Sequence, residues 1–187
     1  FTLSSTPEKE FISLTVKAVG ELSTTVTTLQ KGDSFSISEP KQTSLTPNFD
    51  EQEPIVFIAG GSGITPFYPS ISKLKSSNRG VHVLYSNRTT KDIIFYEDLQ
   101  RMHKEDNTFS VTHFITQQTN DENKKYPENF IFEKITKKHL QNVKRNNTKW
   151  YVCGPPSMTN AMKEHLQELE IATTDIFIEK WELPGKQ

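Results

Sequence analysis

The stretch IVFIAGGSGITPF, Ile55 to Phe67, decides how the rest of the chain is read. A short apolar run, the length of a buried strand, breaks into Gly60, Gly61 and Gly63 and then meets Pro66. This is the pattern of a strand entering a tight turn and then a helix. The pattern repeats downstream. Strands are expected at IVFIAG, VHVLYS, SVTHFITQ, KWYVCG and DIFIEKW, with helices near 67–75, 94–103, 135–143 and 157–170 and a polar insertion near 119–128. Each parallel return needs a crossover, so repeated β-α-β units predict an α/β fold with a doubly wound parallel sheet. In such sheets ligands lie beyond the carboxyl ends of the strands.

Upstream of Pro54 the texture changes. FTLSS, the alternating FISLTVKAV and DSFSISEP read as strands, and GELSTTVTTLQ as a short helix opened by Ser23. Lys41 to Glu53 is polar and reads as a linker, which divides the chain into residues 1–53 and 54–187. The chain starts directly in strand-like sequence at Phe1, as a cut or processed chain does.

With 187 residues the chain can build a sizeable core. Lys and Arg number 22 against 23 Asp and Glu, a balance that argues against nucleic acid or an anionic membrane surface as partner. No apolar run has the length of a membrane segment and no signal peptide is visible, so a cytoplasmic location is expected. The single cysteine, Cys153, excludes an intrachain disulfide and a Cys-rich metal or iron–sulfur site. The five histidines show no i, i+4 pair, so no metal is expected.

Gly60, Gly61 and Gly63 bring backbone amides close to any ligand at the strand end, a place suited to a phosphate. Pro66 stands where the third glycine of G-x-G-x-x-G would be, and a tight turn without a ligand is the other reading. A second strand end, VCGPPSM, carries Cys153, Gly154 and Pro155, which places a thiol at the rim of the same cleft. The alternative for Cys153 is an inert core residue.

Taken in order, FTLSS, GELS, GGSGITPF, LYSNRTTKDIIFYEDL, CGPPSM and IEKW resemble the ferredoxin-NADP reductase superfamily of flavoproteins. FTLSS is similar to the end of that family's Arg-x-Tyr-Ser-x-x-Ser motif, so the resemblance begins inside the motif and implies only part of an antiparallel flavin-binding β-barrel before the sheet. It implies FAD against Phe1, Thr2, Leu3 and Ser5, with its pyrophosphate near Gly20, Leu22, Ser23 and Thr24. Where the family continues Gly-Pro-x-Gly after the DSFSIS strand, this chain has EPKQ. The resemblance also implies NADPH or NADH against Gly60, Gly61, Gly63, Thr65, Pro66, Ser86, Asn87, Arg88, Cys153, Gly154, Pro155 and Met158.

The absence of an acid after VHVLYS and the presence of Arg88 lean toward NADPH, with a solvated surface arginine as the alternative. Cys153 at the hydride position, Thr2 near the reactive edge of the flavin and Glu179 as proton relay are the implied catalytic residues. Trp181 is expected on the flavin face or in C-terminal packing. The implied activity is hydride transfer from NAD(P)H to FAD, then delivery of electrons to a small molecule or a protein such as ferredoxin, flavodoxin or an oxygenase component. Two other readings stay open: an NAD(P)H-binding reductase module, and a docking subunit of a larger electron-transfer assembly.

Overall fold

The computed structural model describes residues 1–6, 9–39, 43–75, 77–118 and 125–180. Helix α1 spans Glu21–Thr28. The sheet domain then runs β1 (Ile55–Gly60), α2 (Tyr68–Leu74), β2 (Val81–Asn87), α3 (Tyr96–Glu105), β3 (Phe109–Ile115), β4 (Phe130–Ile131), α4 (Lys137–Val143), β5 (Lys149–Gly154), α5 (Pro156–Glu168) and β6 (Ile176–Lys180). All strand pairings are parallel, in the order β4-β3-β2-β1-β5-β6. The chain therefore moves outward from β1 through β4 and returns to the other side of β1 with β5. That reversal leaves a crevice between the β1 and β5 ends.

β1 is buried along its whole length, as a central parallel strand covered on both faces must be. One face packs Phe57, Ala59, Val83 and Tyr151 against Phe67 and Ile71 near α2 and Leu99 and Met102 on α3. The other packs Val56, Ile58, Leu84 and Val152 against Leu140 on α4 and Met162 and Leu166 on α5. Fully burying each large apolar side chain contributes about 2 kcal/mol, so these two layers hold the sheet. The buried Arg79 fastens the preceding linker to the sheet, donating Nε to the Glu53 carbonyl and Nη1 to the Asn48 carbonyl at 2.7 Å.

Every expected helix of the sheet domain is present within two residues of its expected ends, whereas the short β4 was not expected. Ahead of the linker the expected strands form no ladder among the described residues. Among the described residues the partial barrel is reduced to one antiparallel bridge, Leu3–Leu14, supported by the Ser4 amide on the Ser13 carbonyl (2.8 Å) and the Thr15 hydroxyl on Ser4 Oγ (2.9 Å). An extended segment becomes a strand only where a neighbour accepts its N–H groups. α1 is also capped differently from expectation. Gly20 is the N-cap, and Ser23 reaches back to accept from the Gly20 amide (3.0 Å) and the Val19 amide (2.9 Å). Among the described residues, no helix is long and apolar enough to cross a membrane.

Candidate functional site

The two strand ends singled out from the sequence touch. A side chain at Gly63 would fall on the Cys153 carbonyl. A Cβ on Gly60 would lie 2.8 Å from both Met158 Sδ and Pro155 Cδ, and one on Gly154 would lie 2.6 Å from Met158 Cε and 3.1 Å from Gly60 Cα. Gly63 and Gly154 thus serve the contact between the tips. Gly61 differs, because its φ of +54° is a left-handed conformation and nothing lies within 4 Å of where a side chain would begin. A one-turn 3-10 segment, Gly61–Ile64, separates β1 from α2, with the Ser62 carbonyl accepting from the Thr65 amide (3.0 Å) and hydroxyl (2.9 Å). This is the tight turn expected between the strand and its helix. Thr65 and Pro66 are buried behind this turn.

In front of the turn lies a cleft of about 710 Å³. Gly60, Gly61 and Ser62 line it from β1, Ser86, Asn87 and Arg88 from the β2 end, Thr116 and Gln117 from beyond β3, and Pro155, Ser157 and Met158 from the start of α5. The β2 and β3 walls are tied together, with the Thr116 amide on the Asn87 carbonyl (3.0 Å) and the Gln117 amide on the Arg88 carbonyl (2.9 Å). Thr15, Val16 and Lys17 close one side, and Lys134 and Ile135 another.

The charges along this cleft are Lys17, Arg88 and Lys134 against Asp92. The hydroxyl of Thr89 (2.8 Å) and its amide (2.9 Å) hold the Asp92 carboxyl below its usual range, with Lys17 and Arg88 adding to the effect. Asn87 is 4% exposed, and its side-chain amide has no hydrogen-bond partner among the described residues. It lies beside the Tyr85 hydroxyl, outside hydrogen-bond geometry. A buried amide left in that state costs free energy unless something entering the cleft pairs with it.

The remaining predicted residues divide into two groups. Cys153 is 0% exposed, packed in the core with Ala59, Phe67 and Tyr151, so the thiol expected at the rim lies beneath it. The reason is strand alternation: Cys153 shares its face with Tyr151, which points into the core. Glu179, paired in register with Cys153, is exposed and accepts from the Thr43 hydroxyl at 3.0 Å. The flavin-side residues sit on the N-terminal segment, where Phe1, Gly20, Leu22 and Thr24 are exposed and Thr2, Leu3, Ser5 and Ser23 half-buried. Trp181 lies outside the described residues. Sequence reasoning missed Thr116 and Gln117, which the carboxyl-end rule would have found at β3. It also missed Tyr85, Lys17 and Lys134, whose part in the site depends on folding.

Residues 57–164, more than half of the chain, match the oxidoreductase NAD-binding domain family. The chain belongs to that family. Curated relatives include NADH-cytochrome b5 reductase 1 of Aspergillus terreus, 30% identical over 178 residues that cover 89% of this chain and 58% of that protein. NADH-cytochrome b5 reductase 2 of Mycosarcoma maydis is 32% identical over 147 residues, covering 76% and 41%. The chain thus spans about half the length of the curated relatives it matches. Its fold is that of the ferredoxin-NADP reductases. A structure of the Neisseria gonorrhoeae enzyme with bound FAD and NADP superposes with a TM-score of 0.76 at 19% identity, covering 95% of this chain and 77% of that one.

Proposed function

We propose that this chain is the nucleotide-binding portion, with part of the flavin site, of a flavin-dependent oxidoreductase that takes hydride from NAD(P)H and passes electrons to an acceptor. One observation carries the reading. A buried Asn87 amide without a partner among the described residues lines a cleft at the switch point of a doubly wound sheet, where two glycine-bearing tips meet. The site fits a dinucleotide: open space at Gly61 admits a phosphate against backbone, and the start of α5 brings a positive dipole end to the same cleft. The flavin side fits as well, since the Phe1 ring is exposed and the Gly20 N-cap of α1 has nothing within 4 Å of its missing side chain.

FAD, when bound, supplies the two-electron chemistry. Phe1, Thr2, Leu3 and Ser5, together with Gly20, Leu22, Ser23 and Thr24, would hold it, and Trp181 would pack near it. In the cleft, Ser86, Asn87 and Arg88 bind the nucleotide, and Met158 and Pro155 orient it over the tips. Cys153 shapes the floor from below, and Glu179, exposed at the end of its strand, holds or passes a proton. The division falls between residues 53 and 54. The relatives' names support a cytochrome b5 as protein acceptor, and a cytoplasmic location belongs to the same proposal.

Exposed Arg88, with Lys17 and Lys134 along the cleft, supports NADPH, whereas the curated relatives are named for NADH. Replacing Arg88 with Ala decides between them. If the guanidinium pairs with a 2′-phosphate, NADPH affinity falls about tenfold and NADH affinity holds. The exposed apolar side chains of residues 1–39 favour a second reading, in which this chain works as a reductase module within a longer assembly. Incubating the chain with FAD, removing the excess and mixing it anaerobically with NADH and NADPH tests both readings. Bleaching of the flavin spectrum supports turnover by this chain, and a colourless protein that still binds nucleotide supports the module. Absence of both flavin and nucleotide binding would remove the proposal.

A further inference from the structure

Tyr85 was not singled out by its place in the sequence, yet it joins two sides of the cleft. Its ring is 0% exposed in the core, one residue before Ser86 at the end of β2. Its hydroxyl donates to the Gly61 carbonyl at 3.0 Å and accepts from the Ile94 amide at 3.2 Å. Gly61 and Ile94 both line the cleft, Gly61 from the β1 tip and Ile94 from the segment between β2 and α3. Burial pushes the hydroxyl's pKa up to about 12, so it stays protonated and keeps its donor at ordinary pH.

Both anchor points are places where the backbone needs holding. Gly61 is left-handed at φ +54°, and Phe95, next to Ile94, is left-handed at φ +59°, a strained conformation for a bulky side chain. The Phe95 ring is held by stacking on Tyr68 at 3.8 Å, and Tyr68 donates to Asp98 at 2.7 Å. Tyr85 holds the same segment from the other side through the Ile94 amide. In a planar trans peptide the carbonyl and the following N–H point in opposite directions. A Gly61 carbonyl fastened to a buried hydroxyl therefore turns the Ser62 N–H away from the core, where Ser62 lines the cleft.

We propose that Tyr85 is a positioning residue for the nucleotide: its buried hydroxyl fixes the Gly61 peptide and the Ile94 segment in the shape that receives the ligand. This rests on the nucleotide-binding reading above. Tyr85→Phe keeps the ring in the core and removes only the hydroxyl, so packing is retained while both cleft anchors are released.

The test titrates the whole chain with NADH and with NADPH, following nucleotide fluorescence, beside a thermal melt and hydrogen exchange of the Ile94 amide. Expected is an Ile94 amide protected in the wild type and exposed in Tyr85→Phe, with nucleotide binding about tenfold weaker and a melting midpoint within a few degrees. With FAD loaded, the loss appears in KM and leaves kcat. A wild type that binds neither nucleotide overturns the functional reading itself. A wild type that binds, with a variant that binds within twofold of it, overturns the role of Tyr85 alone. Should the variant fail to fold, the wild type still decides: an Ile94 amide exchanging as fast as an exposed loop amide overturns the proposal.

Discussion

Two regions of this chain meet water in opposite ways. The sheet buries β1 completely and covers both faces with helices, whereas residues 1–39 leave Phe1, Phe11, Ile12, Val19, Leu22, Phe35 and Ile37 between 57% and 69% exposed. The apolar residues are of the same kinds in both regions. What differs is the source of the covering surface. A parallel sheet carries its cover in its own crossovers, since each helix that returns the chain also packs on the strands it joins. An antiparallel segment depends on neighbouring strands, and among the described residues the N-terminal region finds one bridge, Leu3–Leu14. Apolar composition gives a segment the capacity to be buried, and a neighbour at hand decides whether it is.

That contrast is broken most severely at the glycines. Gly63→Ala drives a methyl into the Cys153 carbonyl and should lower unfolding free energy by about 3 kcal/mol, while Gly20→Ala, with nothing within 4 Å and φ −130°, should cost no more than about 1 kcal/mol, the loss of a favoured N-cap residue. Urea midpoints of the two variants measure the difference, and matching midpoints would remove it.

The next effect comes from acid. His113, buried on β3 beside Tyr85, Tyr96 and Phe130, has neither ring nitrogen partnered among the described residues. Burial, with a smaller contribution from His103, lowers its pKa from 6.5 to about 4. The fold holds this histidine neutral, so its contribution is complete above pH 6.5 and is lost as pH falls toward 4, where the unfolded chain takes up the proton first. The loss by pH 4 is about 3 kcal/mol in the pH dependence of urea unfolding. His113→Phe should flatten that limb, and an unchanged acid profile would show that other groups set it.

The smallest effect sharpens the comparison from the other side. Phe35→Ser removes an exposed ring and should leave the unfolding free energy within about 0.5 kcal/mol. It should also reduce binding of an apolar fluorescent dye, because the residue contributes to the uncovered surface rather than to the core.

Much of this architecture was legible in the sequence because the sheet's signals are local. IVFIAG and KWYVCG are near-continuous apolar runs, each ended by glycine, and that alone places two strand tips and the crevice between them. Asn87 and Arg88 came instead from the family resemblance of the LYSNRTTKDIIFYEDL stretch. The N-terminal strands misled because alternation at FISLTVKAV reports which residues prefer a face and carries no information about a neighbour. Ser23 looked like a cap and proved to be the residue that bonds back to one. Tyr85 was invisible for a different reason: its hydroxyl matters through Gly61, 24 residues earlier, and Ile94, 9 residues later, and no window of sequence holds that triangle together.

The burial of Cys153 has a practical consequence. The chain has one thiol, fully covered, on the residue whose own carbonyl Gly63 is pressed against. A colourless disulfide reagent that turns chromogenic on reaction can reach it only when the core packing around this strand end opens, so the rate of colour release is a stopwatch on that opening. No label or tag need be built into the protein to time how often that packing opens, or how far an occupied cleft slows it.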